Sequence, residues 1–167
     1  MFVLGVDPGL SRCGFGVVTG EPGDERAVAA GVITTDHRLP VPERLAELRR
    51  ELDGLVDEIR PDVVVVERVF FQTNAQTAMS VGQASGIALL VAAEHGCPVV
   101  EYTANEVKQA VAGFGSAEKL QVQTMVARLL HLAEVPKPPD VADALALGLC
   151  HLAARRATAL AESQAIS

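Results

Sequence analysis

The sequence predicts an α/β fold: a five-stranded mixed sheet with helices on both faces. Two observations carry this. Three strand-like segments come first, joined by turns rich in Gly, Pro and Asp, and from residue 43 onward helix and strand patterns alternate before three closing helices. The second is four consecutive valines, residues 63–66. A β-branched run with no polar alternation reads as a strand buried on both faces, and so as part of a sheet covered on both sides.

Each element has its own signal. Residues 2–7 form an apolar strand ending in Asp7. Residues 14–19 and 28–34 give two more, arranged as a meander. Residues 43–59 form an amphipathic helix, with Leu45, Leu48, Leu52, Leu55, Val56 and Ile59 on one stripe and Pro61 beyond its end. The valine run and Glu67 make the fourth strand. Residues 74–95 form a long helix that is apolar nearly all round, with Gly82 and Gly86 four apart among Ala78, Ala84, Ala88, Ala92 and Ala93. Such a helix must be covered on more than one side, by the sheet and then by further packing within the chain or by a second subunit. Residues 98–102 are the fifth strand. Helices follow at 104–112, 117–131 and 140–155, with a glycine C-cap at Gly113 and a serine N-cap at Ser116. The tail from Ala157 is expected to fray. One domain over residues 1–156 and a disordered tail at 157–167 result. A meander followed by strand–helix–strand units, with acids at strand ends, is the order of the ribonuclease H-like fold.

Composition bounds the function. A chain of 167 residues with 49% apolar and 21% charged residues suits one soluble domain whose core needs no disulfide. Met1 runs straight into a strand with no Arg/Lys-led leader, and no apolar stretch is long enough to span a bilayer. Cys13, Cys97 and Cys150 are far apart with no Cys-x-x-Cys, as expected of core thiols in a reducing cytoplasm. The net charge of −7 argues at first against a nucleic-acid partner. The charge is uneven, however. Residues 43–62 hold seven acids against four arginines, and setting these and four further carboxylates aside leaves ten acids against ten bases. An acidic back can coexist with a neutral or basic working face.

Those four carboxylates are Asp7, Glu67, Asp140 and Asp143. Asp7 and Glu67 end the first and fourth strands, and sites in open α/β sheets form beyond strand ends. Asp140 and Asp143 are three apart and share a helix face, with Leu147 four further along the same stripe, so the acids head a face that points inward. Taken singly, Asp7 before Pro8-Gly9 is explained as a turn residue and Asp140 after Pro138-Pro139 as an N-cap. Glu67 is different, because a carboxylate closing a four-valine strand is costly unless paired or bound to a cation. Four converging acids need a counter-ion, and hard divalent cations prefer oxygen ligands. Two such ions would serve phosphoryl displacement. His37, His95, His131 and His151 show no shared spacing for a metal.

The segments LGVDPGLSRCGFGVV, VVVVERVFFQTNAQTAMSVGQASGIA, VKQAVAGFGSAEKLQVQ and PDVADALALGLCH resemble, in order and spacing, the RuvC family of bacterial Holliday junction resolvases. The resemblance implies a metal-dependent endonuclease that nicks four-way junction DNA symmetrically, in recombination and repair. It implies a homodimer, with the RuvAB branch-migration complex as a further partner, and Mg2+ or Mn2+ as cofactor, two ions per site. The family's catalytic and metal-binding carboxylates match Asp7, Glu67, Asp140 and Asp143. Its lysines near the scissile DNA match Lys108 and Lys119, and its junction-contacting aromatic matches Phe70. Arg68, Asn74, Gln72 and Thr73 would then meet phosphates beside that ring, while Phe71 packs under the following helix. Ser116 and Lys119 open a helix whose amides suit a phosphate. A sugar-kinase-like ATPase shares a loop like GVDPGLSRCG but needs a duplicated domain, which this chain lacks.

Overall fold

The computed structural model describes residues 1–68 and 75–165. Strands β1 (Val3–Asp7), β2 (Arg12–Thr19) and β3 (Arg26–Thr34) lead into helix α1 (Val41–Ile59), β4 (Val63–Glu67), α2 (Ala75–Glu94) and β5 (Val99–Tyr102). Helices α3 (Ala104–Ala112), α4 (Lys119–Leu129) and α5 (Pro139–Ala165) complete the chain. The five strands form one mixed sheet in the order β3-β2-β1-β4-β5. The meander is antiparallel, and β4 joins β1, and β5 joins β4, in parallel. This is the mixed α/β architecture expected from the sequence.

The valine run explains how the layers form. Successive side chains of a strand point to opposite faces. Val63 and Val65 enter a core with Val3 and residues of α3, α4 and α5. Val64 and Val66 enter the opposite core with Leu4, Val6 and residues of α1 and α2. The same alternation fixes the acids: Val3 and Val63 face the α5 side, so Asp7 and Glu67, each an even number of residues further on, emerge on that side too. β1 and β4 run in register from Val3↔Val63 to Val6↔Val66, so Asp7 and Glu67 are the next residues along neighbouring parallel strands.

Helix α5 packs its backbone against the sheet because three glycines make room for it. A Cβ on Gly5 would fall 3.2 Å from the Gly148 nitrogen and would overlap the Ala144 carbonyl, and one on Gly14 would overlap the carbonyl of Asp140. A Cβ on Gly16 would fall 2.8 Å from Leu145 Cδ2. Because Asp7 pairs with Gly14, the contact of Gly14 with Asp140 brings the head of α5 to the end of β1.

Strands β2 and β3 and helix α1 each begin two residues earlier than expected, and both ends of α4 and the end of α5 also differ. Helix α4 starts at Lys119 with Glu118 as N-cap, and the Glu118 N–H donates to Gln121 Oε1 at 2.8 Å. Ser116 is therefore not the cap. Ala117 is 1% exposed, and its N–H donates to the Phe114 carbonyl, so burial holds this segment in a turn. The left-handed Gly113 (φ 86°) caps α3 as expected. Helix α4 ends before His131, whose φ of 53° is left-handed. Helix α5 continues ten residues past Arg155, through the segment expected to fray. No Gly or Pro interrupts it, and Arg156 donates to the buried Glu25 carboxylate, fastening the extension to the β2–β3 turn.

Helix α2 buries Ala84, Ala88, Val91 and Ala92 and leaves Met79 and Leu90 exposed, with Gly82 and Gly86 also open. The second cover that its composition calls for is thus not supplied by the described residues of this chain. Among the described residues, no helix is long and apolar enough to cross a membrane.

Candidate active site

Asp7, Glu67 and Asp143 line one cleft of about 320 Å³ with Lys108 of α3 and Lys119 of α4. Its remaining walls are apolar, from Ala104, Val107, Val122, Ala146 and Leu147. Five of the six residues expected to carry the chemistry therefore meet in one place. Asp140 stands at the margin. It does not line the cleft, but its charge acts on Asp7.

The electrostatics are those of crowded anions. The Asp7 carboxyl is pushed up from its ordinary 3.8 to about 7, first by burial and then by the charges of Asp143, Glu67 and Asp140, with Lys119 opposing. Burial and Asp143 likewise raise Glu67, and Lys119 and Lys108 oppose the rise. Lys119 Nζ donates to Asp143 Oδ2 at 2.6 Å. Burial lowers the pKa of that ammonium, but Asp143, Asp7 and Asp140 together raise it further. An ammonium at a helix N-terminus is disfavoured by the helix dipole, and the carboxylates offset that cost.

Asp140 has a partner that reading along the chain did not reveal. Arg12 Nε, at the start of β2, lies 3.4 Å from Asp140 Oδ2. The contact is too long to satisfy the oxygen, which is buried and has no hydrogen-bond partner. The signal was present only indirectly. Arg12 is two residues from Gly14 on β2, and the close approach of Gly14 to Asp140 is a tertiary fact.

The other expected DNA contacts divide. Arg68 and Ser116 are exposed, and the Arg68 backbone N–H donates to the Tyr102 carbonyl at 2.8 Å. Phe70 and Asn74 lie outside the described residues, as do Phe71, Gln72 and Thr73. The histidines form no shared site. His95 bonds Asp53 Oδ1 at 2.9 Å on the α1–α2 face, with Asp57 nearby, and His151 bonds Tyr102 at 3.0 Å.

A divalent cation fits the cleft's chemistry. The donors are all carboxylate oxygens, burial together with their mutual repulsion pushes Asp7 up to about 7, and one oxygen of Asp140 lacks a partner. A hard cation answers all three features.

A family model described as crossover junction endodeoxyribonuclease RuvC matches residues 3–151. A crossover junction endodeoxyribonuclease RuvC of Salinispora arenicola is 54% identical over 153 residues, covering 91% of this chain and 87% of that protein. One of Syntrophomonas wolfei is 46% identical over 165 residues, covering 99% and 96%. Among solved structures, Thermus thermophilus RuvC in complex with a Holliday junction substrate superposes with a TM-score of 0.89 at 38% identity, covering 95% of this chain and 96% of that one. The yeast mitochondrial Holliday junction resolvase shares the fold, with a TM-score of 0.62 at 15% identity over 90% of this chain and 78% of that one.

Proposed function

The chain belongs to the RuvC family of crossover junction endodeoxyribonucleases, and from that premise we propose that it resolves four-way DNA junctions by paired, symmetric, metal-dependent phosphodiester hydrolysis, in homologous recombination and repair. The observation that carries this reading is the cleft in which Asp7, Glu67 and Asp143 meet Lys108 and Lys119.

Asp7, Glu67 and Asp143, completed by Asp140, would hold two Mg2+ ions, with Mn2+ able to replace them. When bound, such ions offset the charge that develops on the attacking and leaving oxygens. The chain's own residues do the rest. Asp143 holds the Lys119 ammonium at the cleft surface, where it meets a non-bridging phosphate oxygen as charge builds. Lys108 adds charge from α3. The apolar walls from Val107, Val122 and Leu147 limit water beside the reacting phosphate. Phe70 is assigned to stacking on an unpaired base at the crossover, and Arg68, Asn74 and Ser116 to phosphates. The nuclease domain is residues 1–156, the setting is the cytoplasm, and RuvAB is a partner on family grounds.

The test is incubation of a labelled four-way junction with Mg2+, beside a linear duplex and a structured RNA. Paired nicks at the crossover, absent from both controls, are expected. Equal cutting of the duplex, or preferred cutting of the RNA, overturns the reading.

Lys119→Ala should slow single-turnover cleavage at saturating junction on the order of a hundredfold. The Lys119 side chain is 63% exposed, so stability in urea should change by no more than about 1 kcal/mol. Unchanged cleavage would reduce Lys119 to a helix-start residue.

The protein is further proposed to be a homodimer, with α2 at the interface. Met79, Gly82, Gly86 and Leu90 form an open stripe on that helix. A Cβ at Gly82 or Gly86 would meet nothing within 4 Å among the described residues, so the side chain of Gly86→Leu starts into open space. Light scattering should show the wild type as a dimer and Gly86→Leu shifted to monomer, while helix propensity preserves subunit stability. A wild-type monomer at micromolar concentration would remove the dimer.

A further inference from the structure

We infer that Arg12 is a phosphate-contacting residue of the DNA track, on the side of the carboxylates away from the lysines. The inference rests on the resolvase reading and adds a residue to it.

Placement comes first. In the sheet, β2 and β4 flank β1. Arg12 opens β2, on one side of Asp7, while Lys108 and Lys119 act on Glu67, which ends β4 on the other. Two strand spacings are about 10 Å, a span over which one DNA strand presents more than one phosphate. A backbone crossing the carboxylates would therefore meet the lysines at one phosphate and Arg12 at another.

The alternative is that Arg12 is only the counter-ion of Asp140. Three features argue against that. Its side chain is 58% exposed, and exposed ion pairs contribute little. Its contact leaves Asp140 Oδ2 without a hydrogen bond, so neither partner is satisfied by the other. And the cations that line the carboxylate cleft are Lys108 and Lys119, with Lys119 paired to Asp143, so Arg12 stands outside it. A guanidinium on a side chain this exposed is suited to the forked oxygens of a phosphate.

The backbone beneath it is fixed. Thr35 Oγ1 donates to the Leu10 carbonyl at 2.6 Å. Arg44 donates from Nε to Thr35 Oγ1 at 2.9 Å and from Nη2 to Ser11 Oγ at 2.8 Å. Arg12 itself pairs with Thr34 in the β2–β3 ladder. An exposed, long side chain thus rises from a pinned turn at the edge of the site. In a chain of net charge −7, each such local cation carries a large share of the attraction for a polyanion.

The experiment is equilibrium binding of a fluorescent four-way junction in EDTA, over a range of salt concentrations, for wild type, Arg12→Ala and Arg12→Lys. Arg12→Ala should bind roughly 5- to 10-fold more weakly, with a salt slope lower by about one. Arg12→Lys should keep the wild-type slope, because it keeps the charge. Thermal midpoints of all three should agree. Wild-type affinity and slope in Arg12→Ala overturn the inference and leave the resolvase reading intact. A lowered midpoint in Arg12→Ala with unchanged binding assigns Arg12 to Asp140 alone and overturns it too. Failure of the wild type to prefer the junction over linear duplex removes the resolvase reading, and Arg12 with it.

Discussion

Asp7→Asn should abolish cleavage and, at the same time, make the metal-free protein harder to unfold above neutral pH. Loss of one carboxylate from a site that positions charge against a phosphate should cost on the order of a thousandfold or more in single-turnover rate. The stability gain follows from linkage. In the folded protein Asp7 titrates near 7 rather than at 3.8, so the native state binds this proton more tightly than the unfolded chain. The stability tied to that proton is fully present below pH 3.8 and is lost as pH rises through about 7. Asparagine never takes on the charge. Relative to wild type, the variant should therefore gain stability across that window and level off above it, by about 2–4 kcal/mol at pH 8. Urea denaturation in EDTA at pH 5 and pH 8 measures the difference, and junction binding should survive. Adding Mg2+ should then stabilise wild type more than the variant, since only wild type keeps the full donor set. Equal stability of the two proteins at pH 8 would mean that burial and the neighbouring carboxylates do not raise Asp7 as described.

Gly5→Ala is expected to be the most damaging single-methyl change in the chain. Gly5 lies mid-strand in β1, paired with Gly16 on one side and Val65 on the other, so the strand cannot retreat. The new methyl would meet backbone, at Ala144 and at the Gly148 nitrogen 3.2 Å away, and no rotamer relieves a backbone clash. Helix α5 must move, and it carries Asp140 and Asp143. Destabilisation of about 3 kcal/mol or more is expected, together with loss of cleavage in whatever fraction remains folded. Gly148→Ala should be milder, because there the obstacle is the side chain of Val18. Gly54→Ala on α1 is the control: its Cβ meets nothing within 4 Å, and helix propensity should raise stability by up to about 1 kcal/mol. Urea midpoints in the order Gly54→Ala, wild type, Gly148→Ala, Gly5→Ala would bear this out; a wild-type midpoint for Gly5→Ala would mean that α5 is free to shift.

What could be read from the chain was local or periodic. Residues 63–67 and 104–112 were bounded as the structure bounds them, because a β-branched run and a Gly113 C-cap are signals contained in the segment itself. Asp7, Glu67 and the Asp140/Asp143 pair were legible because strand ends and i,i+3 spacing place side chains by simple geometry. Other features depend on the assembled fold. Ser116 looked like a cap, but burial of Ala117 moves the helix start to Lys119. The continuation of α5 rests on Arg156 meeting Glu25, 131 residues away in sequence. Arg12 reaches Asp140 only because Gly14 lets α5 come close. His95 finds Asp53 across two helices. None of these has a periodicity to betray it.

The groove that receives α5 also sets when the carboxylates first come together. Asp7 and Glu67 leave the ribosome early, on strands whose α5-facing side is still uncovered, while Asp140 lies 133 residues after Asp7. At the usual pace of translation that interval is on the order of ten seconds. Throughout it, the growing polypeptide holds at most two of the four site carboxylates. A DNA-cutting constellation split between the first and last elements of the chain cannot assemble before α5 is made, and copies that stop short of Asp140 are born inert.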